Sequence, residues 1–422
     1  MNTLIKEYYL YHKETCDNFL WRALQVFSKQ GIIFFIFIIC AKVLRPYEFG
    51  IYNYILALVL FLSMFGDFGI STATSKYIAE YNISDKKKVR AVLFNSGLMI
   101  VILSSVTSLA VVLLGPSFLG DQYYYVLFLL PTIFLSPLTS LYDGIYRGLK
   151  KFKSLTLISL ISGLIALSFV TVLIRYYGLL GAILAQNLFY FLLFISFVFT
   201  YKEFSFGLNI KILTEIGKYS VFIGVATTGY YLFSRMSIFI LGHYGFFEKI
   251  AVYEILNKIF GLIVVPLSIL SAVLAPNISV NYSEKNYPEL YRKFKRYFVF
   301  SIIVSVFSFV TLFVVIPIIV KLFFVKYYTD SFYSLFIPVL GFYTVIIYSF
   351  VIDNLIILSS KFAKIDMYLK LFLIILNLPL SIFLMKYLGY LGPIYSVFFL
   401  TFIEILFLNI YYFIDIKSKV DK

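Results

Sequence analysis

Twelve apolar runs of about twenty residues each, set apart by short charged or Gly/Pro-punctuated stretches, constrain this chain more than any other feature. They fall near residues 20–43, 50–72, 91–114, 123–146, 154–174, 178–200, 216–241, 250–275, 297–319, 332–358, 366–385 and 390–413. In hydrocarbon no water satisfies a backbone N–H or C=O, so a spanning segment is either a helix or a strand of a closed barrel. Barrel strands are about ten residues long and alternate in polarity, which these runs do not. Hydrophobic residues fill 61% of the 422 positions, charged residues 14%, and the mean hydropathy is +0.94. A water-soluble domain of this length could not clothe its surface with what remains. The expected fold class is an all-α integral membrane protein of about 12 transmembrane helices.

The formal net charge of +15 invites a nucleic-acid reading until the charges are placed. With the amino terminus inside, the cytosolic pieces hold 26 of the 36 basic residues, in clusters such as Lys86-Lys87-Lys88-Val89-Arg90 and Arg292-Lys293-Phe294-Lys295-Arg296. The opposite loops hold seven: Lys42, Arg45, Arg175, Lys249, Lys321, Lys326 and Lys386. That asymmetry is the positive-inside rule, and it puts both termini in the cytosol of a cytoplasmic-type membrane whose anionic lipids are the basic partner. Nucleic acid is set aside. Met1 to Leu20 contain Lys6, Glu7, His12, Lys13, Glu14 and Asp17, so no cleavable signal peptide is expected.

The two halves echo one another. Gly178-Leu179-Leu180-Gly181-Ala182-Ile183 opens the sixth run and Gly389-Tyr390-Leu391-Gly392-Pro393-Ile394 the twelfth, 211 positions later. Lys151-Phe152-Lys153 matches Lys361-Phe362-Ala363-Lys364, and Glu48-Phe49-Gly50-Ile51-Tyr52 matches Lys249-Ile250-Ala251-Val252-Tyr253. Six helices per half preserve orientation, so the repeat is parallel, with a pseudo-two-fold axis along the membrane normal. The expected organisation is an amino-terminal lobe over 1–200, a cytosolic linker over 201–215 and a carboxy-terminal lobe over 216–422. A substrate cavity between the lobes follows from that plan. Every loop is short, which leaves no place for a soluble catalytic domain.

No phosphate-binding glycine loop, dinucleotide fingerprint or nucleophile elbow occurs. Two cysteines, Cys16 and Cys40, and two distant histidines, His12 and His243, supply neither a disulfide framework nor a metal site. No enzyme activity, cofactor or metal is expected. Ionisable residues inside spans are costly and mark function by default. Lys29 in the first helix either lines a cavity or snorkels to the cytosolic face. Arg235 in the seventh either grips a phosphate with its planar fork or reaches lipid headgroups. Glu254, Asn257 and Lys258 share one face of the eighth helix; Glu254 and Lys258 neutralise each other at i, i+4, or Lys258 joins the cavity cations. Glu404 stands alone near mid-depth in the twelfth helix. With Glu254 and Asp67 it forms the set of carboxylates available for ion coupling, though Asp67, in Gly66-Asp67-Phe68-Gly69-Ile70, also suits local hydrogen bonds at a helix end.

The run Ala41-Lys42-Val43-Leu44-Arg45-Pro46-Tyr47-Glu48-Phe49-Gly50-Ile51-Tyr52, followed by Gly66-Asp67-Phe68-Gly69-Ile70 and Lys76-Tyr77-Ile78-Ala79-Glu80-Tyr81, resembles polysaccharide flippases of the O-antigen and teichoic-acid export type. These belong to the multidrug/oligosaccharidyl-lipid/polysaccharide exporter (MOP) superfamily. The similarity extends through Leu241-Gly242, Val252-Tyr253 and Pro276 toward the last helix. It implies two six-helix lobes, alternating access, and a cationic cavity on the first and seventh helices for the diphosphate and sugars of a polyprenol-linked oligosaccharide. Lys29 and Arg235 lie on those helices, with Lys258 beside them. At Ser237 the chain departs from the family pattern, in which an acidic residue often precedes the Leu-Gly pair.

The leading expectation is a flippase for a lipid-linked oligosaccharide, with membrane lipids and polysaccharide assembly enzymes as further partners. The second is a cation-coupled drug or metabolite antiporter of the same superfamily, which would want cavity carboxylates rather than Lys and Arg. The third, a membrane-embedded polysaccharide polymerase, lacks the long external loop or interfacial carboxylate such chemistry would need.

Overall fold

The computed structural model describes residues 13–82, 85–201, 206–356 and 362–421, with backbone alone for 268–283 and a few other positions. His12 and the first charges of the chain, part of the 201–215 linker and the side chain of Cys16 lie outside the described residues.

Among the described residues every regular element is a helix: α1 (Lys13–Val43), α2 (Pro46–Asp67), α3 (Ile70–Tyr81), α4 (Lys86–Leu119), α5 (Tyr123–Phe128), α6 (Leu130–Gly148), α7 (Phe152–Thr200), α8 (Ile210–His243), α9 (Phe247–Ser283), α10 (Tyr287–Phe323), α11 (Phe332–Ile356), α12 (Ala363–Leu388) and α13 (Gly392–Val420). The protein is an all-α multi-pass membrane protein of twelve crossings. α1, α2 and α4 are the first three, α5 with α6 the fourth, the two halves of α7 the fifth and sixth, and α8 to α13 the rest. The amphipathic α3 is an addition to the twelve runs of the sequence. It continues past the Asp67 turn because Ser71, Ala73, Thr74 and Ile78 find burial there.

The chain forms two compact units, Met1–Thr228 and Gly229–Lys422, the division falling inside α8. In the first, α1 runs along α7: the Thr156 hydroxyl donates to the Trp21 carbonyl at 2.8 Å, and Gly163 lies under Ile32. α6 meets α3 through small residues, since a Cβ on Gly144 would stand 2.3 Å from the Ser71 carbonyl oxygen. Close approach of this kind replaces the hydrophobic drive that lipid removes. In the second unit α8 packs on the last two helices: Ser237 donates to the Pro393 carbonyl at 3.0 Å and Asn377 to that of Phe233 at 3.4 Å. The first helix of each half thus leans on the fifth and sixth of its own half.

The Gly-x-x-Gly echo has a mechanical explanation. Gly178 (φ 54°, ψ −127°) and Gly389 (φ 56°, ψ −137°) share a backbone conformation closed to L side chains. Three residues on, a Cβ at Gly181 would meet the Leu173 oxygen at 2.0 Å, and one at Gly392 the Met385 nitrogen at 2.4 Å. One glycine reverses the chain and the next lets the returning helix touch the backbone it left. The Tyr52/Tyr253 echo is likewise core: the two tyrosines are 3% and 5% exposed.

Gly178→Ala and Gly389→Ala should each destabilise the protein by about 1–3 kcal/mol, the cost of holding a non-glycine residue in such a region. Gly261→Ala, in a helix with open space around it, should be neutral or slightly stabilising. Thermal unfolding in one detergent, read by tryptophan-independent thiol or light-scattering signals, compares the three.

Candidate functional site

Arg235 sits two turns before the end of α8, and its Nη1 donates to Oε1 of Glu254, in the second turn of α9, at 2.7 Å. Side-chain exposure is 30% for the arginine and 4% for the glutamate. The carboxylate is therefore the fixed member and the guanidinium the member turned outward. A tight turn at Gly245 (φ 75°) folds α9 back along α8 and brings together residues nineteen apart in sequence.

Around this pair lies a polar network. Asn257 Nδ2 donates to Glu254 Oε1 at 3.4 Å, and the Tyr343 hydroxyl of α11 donates to the Asn257 carbonyl at 3.1 Å. The Tyr343 ring stacks on Phe260 at 4.8 Å between centroids, which fixes the hydroxyl's direction. The Tyr231 ring lies 6.0 Å from the Arg235 guanidinium carbon, within cation–π range. Lys258, half-buried one turn past Glu254, is within electrostatic range of both Glu254 and Arg235. The i, i+4 pairing of Glu254 with Lys258 is thus not the whole arrangement: Glu254 serves a cation on another helix first. The cluster holds two cations to one carboxylate.

A second cluster joins α12 and α13. Lys370 Nζ donates to Asp366 Oδ2 at 2.8 Å and lies 3.6 Å from Glu404 Oε1. Glu404, expected to stand alone, has a lysine counter-ion. The reason is that Lys370 lies two turns inside α12 (Ala363–Leu388), one turn after Asp366, where it also reaches Glu404 of α13. The Asp366/Lys370 spacing of four is the signal that would have found the pair.

In the first unit Lys29 is half-buried on α1. Asp67 Oδ1 accepts the Ser71 amide and Oδ2 the Ser71 hydroxyl, both at 2.9 Å. Both oxygens thus hold the turn between α2 and α3. One turn from the start of the first apolar run, Arg22 lies 3.5 Å from Asp143, which Arg147 also engages at 2.7 Å. The structure therefore brings Arg235, Glu254 and Lys258 into one cluster and puts Glu404 in another. Lys29 and Asp67 belong to the other unit. Cys40 is a fully buried free thiol.

A family model described as "Polysaccharide biosynthesis protein" matches residues 15–282, and one described as "MatE" matches residues 220–383. Compared with curated proteins, the sequence finds no match. Among solved structures, an inward-facing MATE-family multidrug resistance transporter of the MOP superfamily is 15% identical, with a TM-score of 0.75 over 95% of this chain and 99% of that one. The lipid II flippase MurJ, in an inward closed conformation, is 17% identical with a TM-score of 0.70 over 94% and 90%. A MOP transporter from Pyrococcus furiosus, described as having a binding pocket of reversed polarity, is 17% identical with a TM-score of 0.60 over 95% and 94%. Identities this low speak for the fold.

Glu254→Gln should lower unfolding stability by about 2 kcal/mol, because it strips a half-buried guanidinium of its counter-ion. Arg235→Met with Glu254→Leu should recover most of that loss, a non-additivity that a double-mutant cycle of melting temperatures would register.

Proposed function

The chain belongs to the family of polysaccharide biosynthesis proteins, within the MOP superfamily of transporters, and we infer that it flips a polyprenol-linked oligosaccharide across the cytoplasmic membrane. The observation that carries this reading is the Arg235 cluster, in which a buried carboxylate holds a guanidinium outward with a second cation beside it. A planar fork so presented suits the two oxygens of a phosphate. The excess of positive charge repels the cationic compounds a drug exporter would bind. Lys29, on the first helix, supplies a cation in the other half.

In the proposed cycle the diphosphate head enters from the cytosol, where the positive-inside asymmetry puts the basic loops and both termini. Arg235, Lys258 and Lys29 take the phosphates. Tyr231 and Tyr343 offer ring faces to sugars, and the lipid tail stays in the bilayer, where its transfer free energy keeps it. Alternating access then needs no cofactor, because differential affinity of the two faces for the head group shifts the population. The lobes would run over 1–200 and 216–422, joined at 201–215. The relation of fold to MurJ, which is described as a lipid II flippase, supports a lipid-linked substrate.

A cation-coupled antiporter is the second reading. The MatE match over residues 220–383 favours it, as do Asp366 within that stretch and Glu404 beyond its end, two carboxylates with little exposure. Glu254 and Asp67 would then be further coupling candidates.

Deletion of the gene should abolish surface glycan and build up cytosol-facing lipid-linked precursor. Arg235→Ala and Lys29→Ala, in protein shown to insert stably, should each reduce flipping about tenfold or more, the loss of one charge-assisted bond. Normal glycan with altered sensitivity to toxic organic cations would instead establish the antiporter.

A further inference from the structure

Arg235 and Lys370 each stand in front of a more deeply buried carboxylate. Lys370 keeps 41% of its side chain exposed while Asp366 and Glu404 keep 10% and 12%; Arg235 keeps 30% against 4% for Glu254. The two clusters differ in stoichiometry. Around Arg235 two cations share one carboxylate, whereas Lys370 is shared by two carboxylates, so that fully ionised trio carries one net negative charge. A net charge away from water is penalised unless it is paired. Lys370 is also the accessible member, and an arriving anion would compete for it with both carboxylates.

Among the described residues, the other titratable groups near the trio are tyrosines. Tyr230 of α8 lies in electrostatic range of Lys370. α11 presents Tyr348 to α13, its hydroxyl donated to Asn409 Oδ1 at 3.2 Å, and α10 presents Tyr291 and Tyr297 nearer the helix end. Phenols as a class ionise at about pH 10, so the carboxyl pair is the chemistry suited to answer a change at Lys370 near neutral pH.

The geometry points to a proton-linked anion site at Asp366, Lys370 and Glu404: an anionic group that takes Lys370 as its counter-ion leaves the two carboxyls to share one proton drawn from solution. The charge balances. The trio starts at one net negative charge; one anionic charge and one proton arrive, and the sum is unchanged. Each ligand thereby strengthens the binding of the other, as linkage requires. The site is distinct from the Arg235 cluster, and only the identity of its anion, the phosphate of a lipid-linked head group, rests on the function proposed above.

The test is binding of farnesyl diphosphate to the purified full-length protein in nanodiscs between pH 5.5 and 7.5, by calorimetry in two buffers of different ionisation enthalpy. Wild type should take up a proton on binding and lose affinity as pH rises, by up to about tenfold per pH unit. Asp366→Asn with Glu404→Gln shares the probe's own titration, so its flatter profile isolates the contribution of the carboxyl pair. Lys370→Gln should bind about tenfold more weakly without the extra uptake, and Lys370→Arg should restore both; melting temperatures report whether each variant is folded. Equal proton uptake in wild type and the Asp366/Glu404 double variant, unchanged affinity in folded Lys370→Gln, or no binding at any pH would overturn the proposal. Normal surface glycan in the deletion strain, with the linkage intact, would sink the flippase reading and leave this one standing.

Discussion

A backbone amide or carbonyl without a partner in hydrocarbon costs several kcal/mol, and several departures from helix among the described residues are built around that cost. Pro46 opens α2 at a position where its missing N–H is no loss, and Glu48 accepts the Arg45 amide at 3.0 Å. Asp85 accepts the amides of Lys87 and Lys88 at the start of α4. Between α5 and α6 the freed Phe128 carbonyl accepts from Asn187 at 2.6 Å. The Arg-Pro-Tyr-Glu and Gly-Asp-Phe-Gly runs that carry the family resemblance are of this kind. They start and turn helices, and the resemblance is specific because few sequences turn a chain safely at these depths.

Between helices the same scarcity of water changes what holds the structure together. Lipid tails are as apolar as leucine, so association relies on close packing and on polar side chains that bridge helices. Gly144 and Gly148 bring α6 onto α3. Thr74 donates to Ser96 at 2.7 Å, and Thr132 donates to Asn187 at 2.6 Å. In the second unit Asn377 Oδ1 accepts from Ser381 at 3.1 Å and from Ser396 at 2.8 Å. Ser237 donates its hydroxyl to the Pro393 carbonyl, a neutral bridge between α8 and α13.

Hydropathy made the twelve crossings legible, because length and continuity of apolar residues are local properties. The glycine echo was legible too, as a spacing whose mechanical meaning came only with the backbone angles. α3 was not, since a helix with Ser, Thr and Lys on it has no apolar run to announce it. The Arg235–Glu254 pair was out of reach because it depends on how far α9 folds back along α8, which no periodicity encodes. Lys370 lay inside the eleventh run, but its reach to Glu404 depends on how α12 packs against α13, so the counter-ion of Glu404 was out of reach as well. Identities of charged residues could be listed from the sequence; which carboxylate faces which cation could not.

That pairing matters for any transporter that must exist empty. A cavity lined by bare cations would repel itself and draw water or stray anions, and its unliganded state would be poorly populated. Buried carboxylates behind Arg235 and Lys370 hold those cations in place at rest, so the empty protein carries no large uncompensated charge. For an anionic substrate of the kind proposed above the consequence is competition: it gains the cation only by loosening an existing pair, so part of its binding energy is cancelled. Affinity is lower than bare cations would give, and release on the far side is correspondingly easier, because the carboxylate recovers its partner as the substrate departs. Tight binding on one face would stall the cycle; an internal counter-ion would keep the two faces close enough in energy for such a substrate to move through.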